Sequence, residues 1–166
     1  MHDEPRALAL IRELGLQPHP EGGWYAEVFR ATRPVHTGDG RTGRVALTTI
    51  DFLLERGQAS AWHRVRADEV WHLLEGEGLV LWLLPPDLSR VDRVERVELG
   101  PVATGRRPRH VVPADWWQAA EPVGAYAYVG ATVGPGFEFA DFAFGRDDAA
   151  LCDTLPRLAP ALSRLL

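Results

Sequence analysis

The sequence predicts an all-β domain, a sandwich or barrel, with short helices only at its two ends. Three observations carry this. Between residues 20 and 145 the chain breaks into short runs rich in β-branched and aromatic residues. Turn signals separate those runs, among them Pro20-Glu21-Gly22-Gly23, Pro85-Pro86-Asp87 and Gly134-Pro135-Gly136. Helical patterning is confined to residues 5–14 and 147–166. Strands in series with turns between them, and no helices alternating with them, are the pattern of a sandwich or barrel rather than a parallel α/β sheet.

The elements follow in order. Residues 5–14 read as an amphipathic helix, with Asp3 or Glu4 at its start, Pro5 at its first helical position and Gly15 at its stop. The Pro-Glu-Gly-Gly turn leads into a strand over 24–29. Residues 35–44 are polar and Gly-rich, hence a loop. Residues 45–54 (VALTTIDFLL) are a strand, and 62–74 straddle a hairpin. Residues 79–84 (LVLWLL) are apolar on both alternating faces, so both sides must be covered, by a second sheet or another subunit. Residues 91–99 read as a charged, exposed strand. Residues 125–133 and 137–144 read as two strands around the Gly134-Pro135-Gly136 turn. The helix over 147–166 should be interrupted at Pro156 and Pro160.

Composition narrows the function classes. At 166 residues the chain is long enough for one domain with a real core. A net charge of −5 argues against nucleic acid or an anionic membrane as the main partner. No apolar run approaches the roughly 20 residues of a membrane span, and no signal peptide is visible. Cys152 is the only cysteine, so no intrachain disulfide can form and the cytoplasm is the expected location. Lysine and asparagine are absent, which removes Schiff-base, P-loop and kinase lysines. Ser60, Ser89 and Ser163 are the only serines and none has a nucleophile-elbow setting.

The chemistry concentrates in residues 57–76, GQASAWHRVRADEVWHLLEG. Gly57, His63, Glu69 and Gly76 fall on the spacing Gly, five residues, His-x-His, three residues, Glu, six residues, Gly. A second segment runs from Gly105 through Pro113, Ala114, Asp115, Trp116 and Trp117 to Gln118. On these two segments the chain resembles the cupin superfamily. Three positions depart from its pattern: Val65 stands at the second His, Asp115 at the glycine of Pro-x-Gly, and Gln118 at the last His. The runs HPEGGWY, SAWHRVRADEVWHLLEG, VVPADWWQAA and VGATVGPGFEFADF are similar to a small single-domain cupin subfamily carried as a domain of unknown function. The resemblance implies a jelly-roll β-barrel over about residues 20–145, a homodimer, and a small-molecule pocket inside the barrel. Cupins host many chemistries, so the reaction must be read from the site.

In a strand, Glu69 shares a face with Trp71 and Leu73, while His72 shares the other with Val70 and Leu74. His63 and Glu69 are the leading catalytic candidates, set against a satisfied core histidine and a buried ion pair. His63, Glu69 and Gln118 are the candidate ligands for a divalent Fe, Mn, Ni or Zn ion, with Val65 unable to donate. Without metal the same residues suit proton transfer, with Glu69 or Asp141 orienting the imidazole. The resemblance adds that sugar-nucleotide epimerases on this fold use a His/Asp pair without metal. Trp71, Gln118, Asp141 and Glu21 are the candidate substrate contacts; Glu21 is either a turn residue or sits near the pocket mouth. Trp62, Trp71, Trp116 and Trp117 are either aromatic walls for a ligand or barrel core. Three readings follow: an epimerase or isomerase acting on a sugar or small keto or hydroxy acid, a non-catalytic ligand-binding cupin, and a metal-dependent oxygenase or lyase.

Overall fold

Among the described residues, nine antiparallel strands form one curled sheet in the computed structural model, which describes residues 5–166. The expected helix-start residues Asp3 and Glu4 lie outside the described residues. Helix α1 (Arg6–Leu14) begins one residue after Pro5 and ends at Gly15, whose left-handed φ of 64° closes the helix. Strands β1 (Gln17–Pro18), β2 (Trp24–Arg30) and β3 (Thr48–Glu55) follow. Then come β4 (Ser60–Val65), β5 (Asp68–Leu84), β6 (Glu95–Leu99), β7 (Arg109–Val112), β8 (Trp117–Gly134) and β9 (Phe142–Phe144). Helix α2 (Ala149–Leu158) is capped by the Asp148 carboxylate, which accepts from Leu151 N–H at 2.9 Å.

Two long strands organise the sheet. β8 pairs with β3, β4 and β5, and β5 pairs in turn with β6, β7 and β8. Their mutual register shifts at Leu73/Glu75 and Gly76/Gly78. Such bulges bend a strand and raise its twist, which curls the sheet into a half-barrel. Gly76 sits in the bend at φ 108°, where a Cβ would lie 2.4 Å from the Tyr126 carbonyl oxygen.

Several expectations change here. Residues 79–84 are no separate strand but the second half of β5, so the hairpin expected over 62–74 turns at Arg66-Ala67 and then runs straight on. Both apolar faces of that half are covered within the chain. Leu79, Leu81 and Leu83 pack inward with Phe52, Trp71 and Val129, while Leu84 and Trp82 join Trp62, Trp117, Leu151 and Leu155 beneath α2. The two-faced pattern therefore gives no argument for a second subunit. The strand expected over 91–99 is shorter, Glu95–Leu99, and that expected over 137–144 is a 3-10 turn, Phe139–Asp141, followed by β9. α2 runs through Pro156, and Pro160 opens a separate 3-10 segment, Pro160–Leu165. No helix among the described residues is long and apolar enough to cross a membrane.

Candidate functional site

A cavity of about 150 Å³ opens at the end of the half-barrel remote from the Trp62–Trp117 cluster. Among the titratable side chains that line it are His19, Glu21, His63 and Glu69, set beside apolar Val65, Ile50 and Val133. β4 and β5 bring two of them in. His63 and Val65 alternate inward while Trp62 points to the opposite core, and Glu69 follows directly after the turn. His63 lies opposite Gln118 of β8, and Glu69 lies between Val133 of β8 and Val112 of β7. The departure at Asp115 preserves local geometry, because its φ of 66° is the left-handed conformation a glycine would take and Asp tolerates it better than most residues.

The Pro-Glu-Gly-Gly turn contributes the other two. His19 N–H donates to Gly23 C=O at 2.9 Å and Gly22 N–H to His19 C=O at 3.0 Å. Ala61 N–H donates to Glu21 C=O at 2.8 Å, which fastens the turn to the start of β4. A Cβ on Gly22 would lie 2.1 Å from the Ala59 carbonyl oxygen, so the turn can approach this closely only with glycine. Glu21 is therefore carried inside the cavity rather than left at its mouth, and its side chain is 7% exposed.

Hydrogen bonding sets the protonation of the pair. His63 Nδ1 lies 2.7 Å from the Ala61 carbonyl oxygen. A carbonyl only accepts, so Nδ1 carries the hydrogen and Nε2 of the neutral ring presents a lone pair. That lone pair faces Glu21 Oε2 at 3.2 Å. Burial raises the Glu21 pKa above the usual carboxylate value and lowers that of His63, with Glu69 opposing the latter. Both shifts favour one arrangement, in which a protonated Glu21 carboxyl stands beside a neutral His63. The charged alternative would bury two ions away from water. Phe142 stacks on the imidazole at 5.3 Å and holds its plane.

Glu69 faces the same cavity with a different support. Its pKa is pushed up to about 7 by burial and by the nearby Glu21, against the lowering influence of His63 and of a hydrogen bond from Gln118. Gln118 Nε2 donates to Glu69 Oε2 at 2.5 Å, and Trp71 Nε1 donates to Gln118 Oε1 at 2.9 Å. The indole N–H is a donor only, so it fixes which end of the amide meets the carboxylate.

This arrangement does not fit the divalent ion for which His63, Glu69 and Gln118 were the candidate ligands. Gln118, the third expected ligand, gives its oxygen to Trp71 and its N–H to Glu69. Val65 offers no donor, and the His63 lone pair is turned to Glu21. Among the described residues no group of three or more His, Cys, Asp and Glu side chains is disposed to hold an ion. A hydrogen-bonded Trp71–Gln118–Glu69 chain stands where a ligand set would be.

Other expected contacts lie elsewhere. Trp71 is behind the cavity wall, in the core with Phe52, and Trp62 and Trp117 are core on the far side. The aromatic lining comes instead from Tyr25, Phe137, Phe139 and Phe142. Asp141 is outside the cavity and does not orient His63. Arg44 grips it through Nε at 2.7 Å and Nη2 at 2.8 Å, and Arg41 adds a third bond at 2.7 Å. Its pKa is held below the usual carboxylate range by Arg44 first and Arg41 second. Arg30 bonds to Glu27 at 2.9 Å and to Glu138 at 2.8 Å, so the one arginine among the described residues that line the cavity is already matched by carboxylates. His19 and Arg30 were not legible as site residues. The available signal for His19 was its place two residues before Glu21 in a tight turn.

A single curled antiparallel half-barrel with a titratable cavity at one end defines the architecture. The chain belongs to the cupin superfamily: the family described as Cupin superfamily (DUF985) matches residues 8–145. A hypothetical protein from Leishmania major is 31% identical, with a TM-score of 0.78 over 95% of this chain and 96% of that one. A protein from Shewanella oneidensis is 28% identical, with a TM-score of 0.75 over 95% and 92%. Oxalate decarboxylase from Bacillus subtilis shares the fold alone, at 13% identity and a TM-score of 0.54, over 76% of this chain and 29% of that one. No curated protein matches the chain.

Proposed function

We propose that the cavity transfers a proton on a small uncharged carbonyl compound, such as a keto sugar or hydroxy ketone, as an epimerase or isomerase. One observation carries this reading. Two carboxyls in one cavity are both biased toward protonation, one poised near pH 7 and the other 3.2 Å from the imidazole of His63. A base works best when its pKa lies near the working pH. Glu69 takes that role in place of the expected His63, whose lone pair is engaged by Glu21. Glu69 removes a proton from the carbon beside the carbonyl, and the C–H electron pair moves into the enediolate. The Glu21 carboxyl returns a proton to the carbon, and the proton that Glu69 took passes through solvent to Glu21 when the cycle resets.

The pairing of Arg30 with Glu27 and Glu138 at the cavity supports an uncharged substrate over a carboxylate or phosphate. The test is deuterium wash-in from heavy water at the carbon beside the carbonyl, followed by proton NMR with dihydroxyacetone and fructose as probes. Exchange should fall roughly 10²–10⁴-fold in Glu69→Gln. Equal exchange in that variant would end the proposal. Probe binding without exchange, unaltered in Glu69→Gln, would favour a ligand-binding module instead.

A further inference from the structure

We infer that His19 is the hydrogen-bond donor to the substrate's carbonyl oxygen, through an imidazole locked in the Nε2–H form. The inference rests on the carbonyl chemistry proposed above and adds the group that would stabilise the oxygen. Three observations converge on it. Glu21 N–H donates to His19 Nδ1 at 3.2 Å. A backbone N–H cannot accept, so Nδ1 must offer its lone pair, and the hydrogen of the neutral ring lies on Nε2. Among the described residues Nε2 has no hydrogen-bond partner, although the side chain is only 8% exposed and lines the cavity. Finally, the ring is fixed edge-on against Tyr25 at 4.5 Å and Phe52 at 5.7 Å, so the N–H direction is set before any ligand arrives.

The two cavity histidines are thus held in opposite tautomers. A carbonyl oxygen forces the hydrogen of His63 onto Nδ1, and a backbone N–H forces that of His19 onto Nε2. One ring presents an acceptor to Glu21 and the other presents a donor to the cavity. A neutral donor suits this place. Burial lowers the His19 pKa more strongly than the neighbouring Glu21 raises it, so the ring enters the reaction uncharged and holds its proton while the enediolate forms. Preorganised donors aimed at a developing oxyanion are among the strongest catalytic devices in a dry site.

The test has two arms on the intact chain. Nitrogen-15 spectra of histidine-labelled protein at pH 7 should show His19 protonated at Nε2 and His63 at Nδ1. Glycolohydroxamate, an uncharged enediolate mimic, should then shift the His19 Nε2–H resonance. Its affinity should fall by about 10-fold or more in His19→Phe, the loss expected on removing a buried hydrogen bond to an oxyanion mimic, and recover in His19→Gln, which restores an N–H. A proton on His19 Nδ1, or equal affinity in His19→Phe, would overturn the inference. The spectra of the unaltered protein decide the matter even where a variant fails to fold. If the mimic shifts His19 while no probe exchanges deuterium, the donor stands and the proton-transfer reading fails.

Discussion

Asp141 and Glu69 are similarly buried carboxylates, 5% and 7% exposed, and their surroundings differ in one respect. Asp141 meets two guanidinium groups, and Glu69 meets an amide and another carboxyl. The first is held ionised at neutral pH and serves to tie the loop before β3 to the turn before β9. The second is left poised near pH 7 and faces a cavity. Burial alone therefore says little about role; what decides is whether an opposite charge was buried with the group.

The comparison can be broken by exchanging those circumstances. The largest effect is expected from Asp141→Ala. Its side chain is 3% exposed, and its removal leaves Arg41 and Arg44, at 12% and 14%, without their shared partner. A loss of about 3 kcal/mol or more follows, the low end for breaking a buried pair from one side. Urea denaturation at pH 7 measures it, and a separate binding titration with glycolohydroxamate should find the cavity's affinity unchanged.

Glu69→Gln should act in the opposite direction. Between the ordinary carboxylate pKa of 4.5 and its folded value of about 7, the native carboxyl holds a proton that the unfolded chain has released. The group's contribution is thus most favourable below pH 4.5 and is lost as pH rises through 7. A shift of that size corresponds to about 3–4 kcal/mol, since one pKa unit is about 1.4 kcal/mol. Glu69→Gln should therefore be more stable than the parent chain at pH 8 by about that amount, and equal to it near pH 4. Denaturation midpoints at the two pH values check this. A variant less stable at pH 8 would mean that Glu69 is a structural partner like Asp141.

A smaller change, Gln118→Ala, sharpens the contrast. It removes the N–H that lowers the Glu69 pKa and leaves the Trp71 indole N–H unpaired. The expected cost is about 1–3 kcal/mol for the orphaned buried donor. The Glu69 pKa should move further up, readable as a shifted midpoint in a carboxyl NMR titration.

What the sequence could reveal followed from local rules. His63, Glu69 and Gln118 were found because a glycine-bounded spacing places them on adjoining strands, and the strand series predicted the barrel. Glu69 and Trp71 do share a face, as alternation requires, but alternation does not say that the indole turns to the Gln118 amide instead of the cavity. Asp141 could not be separated from Glu69, because Arg41 and Arg44 reach it across about 100 residues of chain. His19 was missed for a related reason: its role depends on a backbone hydrogen bond inside a turn. The continuous β5 was hidden by Gly76 and Gly78, which read as strand breaks and act as bulges.

Glu69 is a buried carboxyl left without a cation, and carbon-13 titration of the side-chain carboxyls is the experiment that shows it. Glu69 should titrate with a midpoint near 7, and Asp141 should stay ionised to well below the usual carboxylate range. A Glu69 midpoint at or below 4.5 would contradict the account, because the site would then hold no group poised to move a proton at neutral pH.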